Sequence, residues 1–120
     1  MKVLVTGGLG FIGSNFIRLI MKETPHSVTN IDSLSYGSNP ANLAGVDSPR
    51  YRFVKGDISD APTVWRLVSE ADAVVNFAAE THVDRSIAEP WPFFRSNIGG
   101  VLTILEEIRK SKRNIRFVQV

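Results

Sequence analysis

A glycine-rich run close to the N-terminus is the first part of the chain whose residue types and spacing could do chemistry. Gly8, Gly10 and Gly13 form the pattern G-x-G-x-x-G, and Gly7, Gly10 and Gly13 form G-x-x-G-x-x-G. Between a strand and a helix, either pattern gives a tight turn whose backbone N–H groups can approach a pyrophosphate. The dipole and free N–H groups of the helix N-terminus favour the same anion. A purely structural glycine turn is the alternative that the pattern leaves open.

Two acidic residues that end predicted strands extend this hypothesis. Asp32 lies at the end of the second predicted strand, where a carboxylate can bind the ribose hydroxyls of an adenosine. A carboxylate there repels a 2′-phosphate, and the next residue is Ser33 and not arginine, so the sequence favours NAD over NADP. Asp57 and Ile58 follow the third predicted strand and would lie beside the adenine. Ordinary turn chemistry is the alternative for both acidic positions.

Tyr51 and Lys55 have the Y-x-x-x-K spacing of the short-chain dehydrogenase active site. That chemistry needs both side chains one turn apart on a helix, so that the lysine can lower the pKa of the tyrosine. These two residues fall in a predicted strand, which would separate them by about 13 Å. We therefore expect no catalytic role for either residue and assign no catalytic residue within the chain.

The elements that must position these residues alternate between strand and helix. Short apolar, β-branched runs predict five strands, at 2–6, 27–31 (ending at Asp32), 51–54, 73–77 and 115–120. Apolar residues at helical spacing, with capping and breaking residues around them, predict helices at 11–22, at about 61–68 and at about 90–110. A polar loop is predicted at 33–49, with one helical turn near 41–43.

This alternation predicts an α/β protein. Right-handed crossovers favour a Rossmann-type doubly wound parallel sheet of about five strands in the order 3-2-1-4-5, with helices on both faces. The 120 residues, 43% hydrophobic and 22% charged, fit one globular domain that spans residues 1–120.

Composition also limits the partners. There is no cysteine, which excludes disulfides and thiolate metal sites. The net charge is only +2 and the basic residues are scattered, so we expect no nucleic-acid partner. No apolar run approaches the roughly 18 residues of a membrane span, so we expect no membrane association and a cytoplasmic location. Glu80, His82 and Asp84 alternate along a polar loop, which is a poor ligand set, and we expect no metal site.

The run Asn76–Ser86, which reads NFAAETHVDRS, is the most specific in the chain. Together with residues 6–13, residues 32–36 and residues 56–58, it closely resembles the dTDP-glucose 4,6-dehydratases, a family of extended short-chain dehydrogenase/reductase enzymes. The resemblance runs over all 120 residues. It implies an NAD-dependent lyase that converts dTDP-glucose to dTDP-4-keto-6-deoxyglucose, with a homodimer as the working form.

The resemblance also implies roles for individual residues. It places the pyrophosphate at the glycine turn, the adenosine ribose at residues 32–35, the adenine at residues 57–58 and the nicotinamide half at residues 77–81. Thr81 would also face the substrate, and Asn97 matches an asparagine of the family's fourth helix. The implied cofactor-binding residues are Gly7, Gly10, Phe11, Ile12, Gly13, Asp32, Ser33, Leu34, Ser35, Asp57, Ile58, Phe77, Ala78, Ala79, Glu80, Thr81 and Ser96.

The sequence departs from the family pattern at a few positions. Thr81 and Ser96 exchange one hydroxyl residue for another, and Gly99 stands beside Gly100 inside a predicted helix. In the family a Ser-Thr-Asp-Glu run and a Tyr-x-x-x-Lys helix follow the fifth strand, and the sequence ends at Val120, before both. We therefore expect a truncation or a partial chain that is inactive alone. A related nucleotide-sugar epimerase or decarboxylase, or a non-catalytic dinucleotide-binding module, is the alternative.

Overall fold

The computed structural model describes residues 1–120 and contains one parallel sheet of five strands. The strand order is β3-β2-β1-β4-β5, which confirms the predicted Rossmann-type order. The strands are β1 (Lys2–Thr6), β2 (Ser27–Asp32), β3 (Tyr51–Lys55), β4 (Ala73–Asn76) and β5 (Arg116–Gln119).

Helices cover both faces of the sheet. They are α1 (Phe11–Glu23), α2 (Ala61–Val68), α3 (Val83–Ala88), α4 (Pro90–Phe94) and α5 (Val101–Ser111), with a 3₁₀ turn at Pro40–Leu43 and a π-helical segment at Arg95–Gly100. Because successive strand residues point to opposite faces, Val3 and Val5 pack with Ile17 of α1 on one face. Leu4 packs on the other face with Leu67 of α2 and Ile104 of α5.

The central strands are buried on both sides, as parallel strands between two helical layers must be. Val3, Leu4 and Val5 of β1 are all at most 4% exposed. β1 pairs with β2 on one side and with β4 on the other, so its carboxyl end lies in the middle of the sheet edge. The glycine turn that follows β1 is therefore placed between the loops that follow β2 and β4.

Two predictions about helices were incomplete. The single helix expected at about 90–110 is divided into α4, the π-helical segment and α5. Helix α3 lies in a stretch that was expected to be a polar loop. It has only six residues, and so short a segment shows too few apolar positions to reveal a helix in a sequence. None of the helices combines the length and the apolar character needed to span a bilayer.

Candidate functional site

A cleft of about 570 Å³ lies at the carboxyl edge of the sheet. It crosses the point where the chain order reverses, between β1 and β4, which is where open α/β sheets bind ligands. Every cofactor-binding residue implied by the sequence lines this cleft except Leu34. Further lining residues that sequence reasoning did not select are Ile31, Tyr36, Gly37, Ser38, Gly56, His82 and Val120.

Each glycine of the turn after β1 is required for a different structural reason. Gly7 has φ +67°, and a Cβ there would lie 2.6 Å from the backbone nitrogen of Ala78. A Cβ on Gly13 would lie 2.5 Å from the carbonyl oxygen of Gly7. A Cβ on Gly10 would meet only that same oxygen, at 3.3 Å, and Gly10 lines the cleft. The fold therefore requires glycine at positions 7 and 13, whereas glycine at position 10 keeps the cleft open.

The N-terminus of α1 at the cleft is suited to an anion. Gly10 is its N-cap, no side chain caps the helix, and its first turn holds no acidic residue. The first N–H groups of a helix have no acceptor within the helix and carry a partial positive charge. Phe11 and Ile12 of this first turn line the cleft, so their N–H groups are available to the two phosphates of a dinucleotide.

Asn30 is a buried polar residue of β2 that supports the glycine turn. Its side chain is fully buried, and its Oδ1 accepts a hydrogen bond from the N–H of Gly8 at 3.0 Å. Its Nδ2 donates to the hydroxyl of Tyr51 at 3.2 Å. A Cβ on Gly8 would overlap the Asn30 amide, which gives this glycine a structural reason as well. Sequence analysis missed Asn30, because β2 also carries Ser27, Thr29 and Asp32, and one more polar residue in such a strand gives no signal.

Tyr51 and Lys55 lie at the two ends of β3, which confirms that they lie along a strand and not one turn apart on a helix. Burial raises the pKa of the Tyr51 hydroxyl, and this effect outweighs the lowering by its hydrogen bond with Asn30. A tyrosine that acts as a general base needs a lowered pKa instead. Tyr51 therefore helps to support the glycine turn through its hydrogen bond with Asn30.

Asp32 is only 4% exposed and joins the glycine turn to the loop after β2. Its Oδ2 accepts a hydrogen bond from the N–H of Leu9 at 3.0 Å. Its Oδ1 accepts from the N–H of Leu34 at 2.9 Å and from the Ser38 hydroxyl at 2.6 Å. Leu34 has φ +58°, a conformation that is uncommon for a non-glycine residue and is fixed here by this bond. The carboxylate keeps one acceptor position free.

The loop after β3 forms one end of the cleft around Asp57. The Asp57 Oδ1 accepts hydrogen bonds from the N–H and the hydroxyl of Ser59, at 2.8 and 2.7 Å. Its Oδ2 lies 3.2 Å from Nη2 of Arg95, whose Nε donates to the Ser59 hydroxyl at 2.9 Å. Burial by itself would raise the pKa of Asp57, but the Ser59 bonds and the Arg95 charge together hold that pKa below its ordinary value. The carboxylate is therefore kept ionised and oriented.

A buried polar network fixes the loop after β4 at the other end of the cleft. The hydroxyl of Thr6 donates to the side-chain oxygen of Asn76 and accepts from the N–H of Ala78 at 3.2 Å. The Asn76 amide donates to Gln119 of β5 at 2.8 Å. Because Thr6 and Asn76 are at most 1% exposed, water does not compete for these hydrogen bonds. The bonds therefore hold Ala78 against the glycine turn.

Glu80 in the same loop is held by Asn97 of the π-helical segment. The N–H of Glu80 donates to Oδ1 of Asn97 at 2.8 Å, and the Asn97 amide donates back to the Glu80 carbonyl at 2.9 Å. Such a reciprocal pair fixes both the position and the direction of the peptide. Thr81 and Ser96 line the cleft next to it.

Aromatic and charged side chains connect the loops after β2 and β4, and two of them, Tyr36 and His82, line the cleft. The rings of Tyr36 and His82 meet edge to face at 4.5 Å, and the Arg85 guanidinium lies 4.6 Å from the centre of the Tyr36 ring. His82 therefore packs against Tyr36. No group of three or more His, Asp or Glu side chains is arranged to hold a metal ion.

Comparison with known proteins places this geometry in a family. The profile of the GDP-mannose 4,6 dehydratase family matches residues 4–120. The chain is 50% identical to the dTDP-glucose 4,6-dehydratase of Mycolicibacterium smegmatis, and the match covers 100% of this chain and 36% of that protein. The chain thus spans little more than a third of the length of this relative.

Solved structures agree with the profile. The crystal structure of the dTDP-glucose 4,6-dehydratase DesIV from Streptomyces venezuelae, determined with NAD bound, superposes with a TM-score of 0.89 at 45% identity. That match covers 96% of this chain and 38% of that one. An epimerase from Methanothermobacter thermautotrophicus matches with a TM-score of 0.86 at 33% identity, over 98% of this chain and 34% of the epimerase. The chain belongs to the GDP-mannose 4,6 dehydratase family.

Proposed function

We propose that the cleft binds NAD and that the chain is the cofactor-binding portion of a dTDP-glucose 4,6-dehydratase. The observation that carries this proposal is the pairing, in one cleft, of the open side of Gly10 with the buried carboxylate of Asp32. An open glycine at an uncapped helix N-terminus suits a pyrophosphate, and a carboxylate at the end of β2 suits a ribose without a 2′-phosphate. The NAD bound in the DesIV structure supports the same choice of cofactor.

Different lining residues would bind different parts of NAD. The N–H groups of the first turn of α1 would hold the pyrophosphate, and residues 32–35 would hold the adenosine ribose. Asp57 and Ile58 would meet the adenine. The loop at residues 77–81 would hold the nicotinamide half, because it follows β4, on the far side of β1 from the loop after β3. Ser96, which also lines the cleft, would contact the cofactor as well. Leu34 would act from outside the lining, through the hydrogen bond that its N–H gives to Asp32.

Bound NAD would supply the redox chemistry of a dehydratase, which removes hydride from C4 of the sugar and returns it to C6 after water is lost across C5–C6. The role of this chain in that reaction is to orient the cofactor and the sugar. The Asn97 bonds fix the Glu80 peptide, which places Thr81 at the end of the cleft where its hydroxyl would face the sugar. No side chain of residues 1–120 is proposed as the acid–base group.

A nucleotide-sugar epimerase is the second candidate, and the likeness to the Methanothermobacter epimerase supports it. Incubation of the complete protein with NAD and dTDP-glucose separates the candidates. A dehydratase yields a 4-keto-6-deoxy sugar, which is detected by mass loss of one water and by the absorbance of the keto sugar in base. A product of unchanged mass indicates an epimerase, and a chain that binds NAD without forming any product indicates a non-catalytic module.

We also propose that the protein works as a homodimer in the cytoplasm, with dTDP-glucose as its partner and neither nucleic acid nor membrane. An apolar face runs along α4, the π-helical segment and α5. Its members are between 43% and 75% exposed, namely Trp91, Phe94, Ile98, Leu102 and Leu105. So large an exposed apolar face is typical of an interface. Sedimentation of the complete protein with Leu102→Glu should show dissociation to monomers, whereas Thr103→Glu on the neighbouring side of α5 should not.

A further inference from the structure

The π-helical segment Arg95–Gly100 contacts both ends of the cleft. Arg95 reaches Asp57 and Ser59 at the adenine end, and Asn97 reaches Glu80 at the other end. Gly100 lies so close to Ile58 that a Cβ would be 2.4 Å from the Ile58 Cδ1. The loop from Asp57 to Ser59 is thus held on one side by two residues of the same turn.

The π geometry explains how one turn does this. In an α-helix, residues five apart point about 140° away from each other. In a π-helix the hydrogen bonds run from i to i+5, so residues five apart come close to the same side. Arg95 and Gly100 are five apart, and both face the loop after β3. An ordinary α-helix would turn one of them away from that loop.

Arg95 controls which acceptor of Asp57 remains free. The Asp57 carboxylate has about four acceptor positions, and Ser59 fills both of those on Oδ1. Nη2 of Arg95 forms an ion pair with Oδ2 at 3.2 Å and so occupies one side of that oxygen, while Nε donates a hydrogen bond to the Ser59 hydroxyl. One acceptor position on Oδ2 is left. The exocyclic amine of adenine is a donor that matches it, whereas hypoxanthine carries a carbonyl oxygen at the same place.

We propose that Arg95 is a positioning residue for base recognition: it orients the Asp57 carboxylate so that the cleft selects adenine at this end of the dinucleotide. This inference rests on the proposed binding of NAD. Arg95 need not touch the cofactor, since it forms its ion pair with Asp57 and its hydrogen bond with Ser59. Ordinary exposed ion pairs contribute little, but here one guanidinium fixes two neighbouring side chains, which gives it directional control.

The test compares two cofactors on matched variants of the complete protein. The dissociation constants of NAD and of nicotinamide hypoxanthine dinucleotide are measured by calorimetry for the wild type, Arg95→Gln, Arg95→Lys and Arg113→Gln. Arg113 is the control because it also pairs with an aspartate, Asp72, at 3.3 Å and with a backbone carbonyl, but contributes nothing to the cleft lining. Thermal melting of each variant reports whether it folds.

The wild type should prefer NAD by about tenfold or more, the discrimination expected when a charged acceptor loses its donor. Arg95→Gln should weaken the binding of NAD by about three- to tenfold and the binding of the hypoxanthine analogue by less than about twofold. The preference for NAD over the analogue therefore becomes smaller. Arg95→Lys should lie between, and Arg113→Gln should match the wild type. An unchanged preference in a folded Arg95→Gln overturns the role of Arg95 alone. A wild type that binds neither dinucleotide overturns the proposed function together with it.

Discussion

Asp32 holds its own chain and, in the proposed function, also holds the ligand. It accepts three hydrogen bonds from its own chain, and a ribose hydroxyl would take the acceptor position that remains free. A second ribose hydroxyl could replace Ser38, because it offers the same donor as the serine. The two backbone bonds, from Leu9 and Leu34, then keep the carboxylate in place while the ligand binds.

Replacing Asp32 by alanine should weaken the binding of NAD and reduce the difference in affinity between NAD and NADP. The reason is that the hydrogen bonds to the ribose and the repulsion of a 2′-phosphate disappear together. A loss of about ten- to a hundredfold in NAD affinity is expected for a charged acceptor. Ser38→Ala is the control and should keep the preference for NAD. Calorimetric titration of both cofactors checks this, and equal affinities in the unmodified protein would contradict the assignment.

Gly10 and Gly13 should separate ligand binding from folding. Gly10→Ala should leave the melting temperature within a few degrees of the wild type but abolish NAD binding, because its methyl group meets only one chain atom and occupies the cleft. Gly13→Ala should instead lower the stability by about 1–3 kcal/mol, since its Cβ lies 2.5 Å from a backbone oxygen. Melting curves with NAD titrations measure both effects; intact NAD affinity in Gly10→Ala would show that this glycine serves only the turn.

Site residues that neighbouring residues in the sequence mark could be predicted. Site residues whose partners lie far away in the sequence could not. The glycines and Asp32 stand at the ends of recognisable strands, so their place at the edge of the sheet follows from the chain order. Arg95 gave no signal, because its partners Asp57 and Ser59 are 36 or more residues away and are reached only through the fold. Asn30 was overlooked for the same reason, since its amide acts on the turn after another strand.

At the scale of elements, the π-helical segment explains one of the two adjacent glycines that occur within a helix. Gly100 is needed for close approach to Ile58, whereas a Cβ on Gly99 would have only one ordinary contact, at 3.9 Å from the Phe94 carbonyl. The strands were predictable because each is a short run that contains β-branched or aromatic residues. The division of the long helix was not, because π geometry depends on its contacts with the loops after β3 and β4.

The two glycines should therefore respond in opposite ways to the same substitution. Gly99→Ala should stabilise the protein by up to about 1 kcal/mol, the usual gain of alanine over glycine inside a helix. Gly100→Ala should destabilise it, because the new Cβ overlaps Ile58 in the core. The double variant Gly100→Ala with Ile58→Val should recover part of that loss. Thermal unfolding is measured for the wild type, these three variants and Ile58→Val alone, and additive losses in the double variant would rule out the contact.

At the scale of the whole molecule, the doubly wound order brings six separate stretches of sequence to one edge. The cleft is lined by loops after β1, β2, β3 and β4, by the π-helical segment and by Val120 after β5, although these are far apart in the chain. This convergence could be predicted from the alternation of strands and helices, since parallel strands share one carboxyl edge. The depth of the cleft and its bridging contacts, such as Tyr36 with His82, required the structure.

Residues 1–120, expressed alone, should form no keto sugar from dTDP-glucose even if they bind NAD. The only Y-x-x-x-K pair in the chain lies along β3, where the Tyr51 hydroxyl is bonded to Asn30 and its pKa is raised by burial. Loss of a positioned acid–base group costs about 10²–10⁴-fold in rate. The complete protein is the positive control, and Tyr51→Phe within it should retain its turnover. Product formation by the isolated residues would mean that an acid–base group lies among them, and the assignment of the cleft to cofactor binding alone would be wrong.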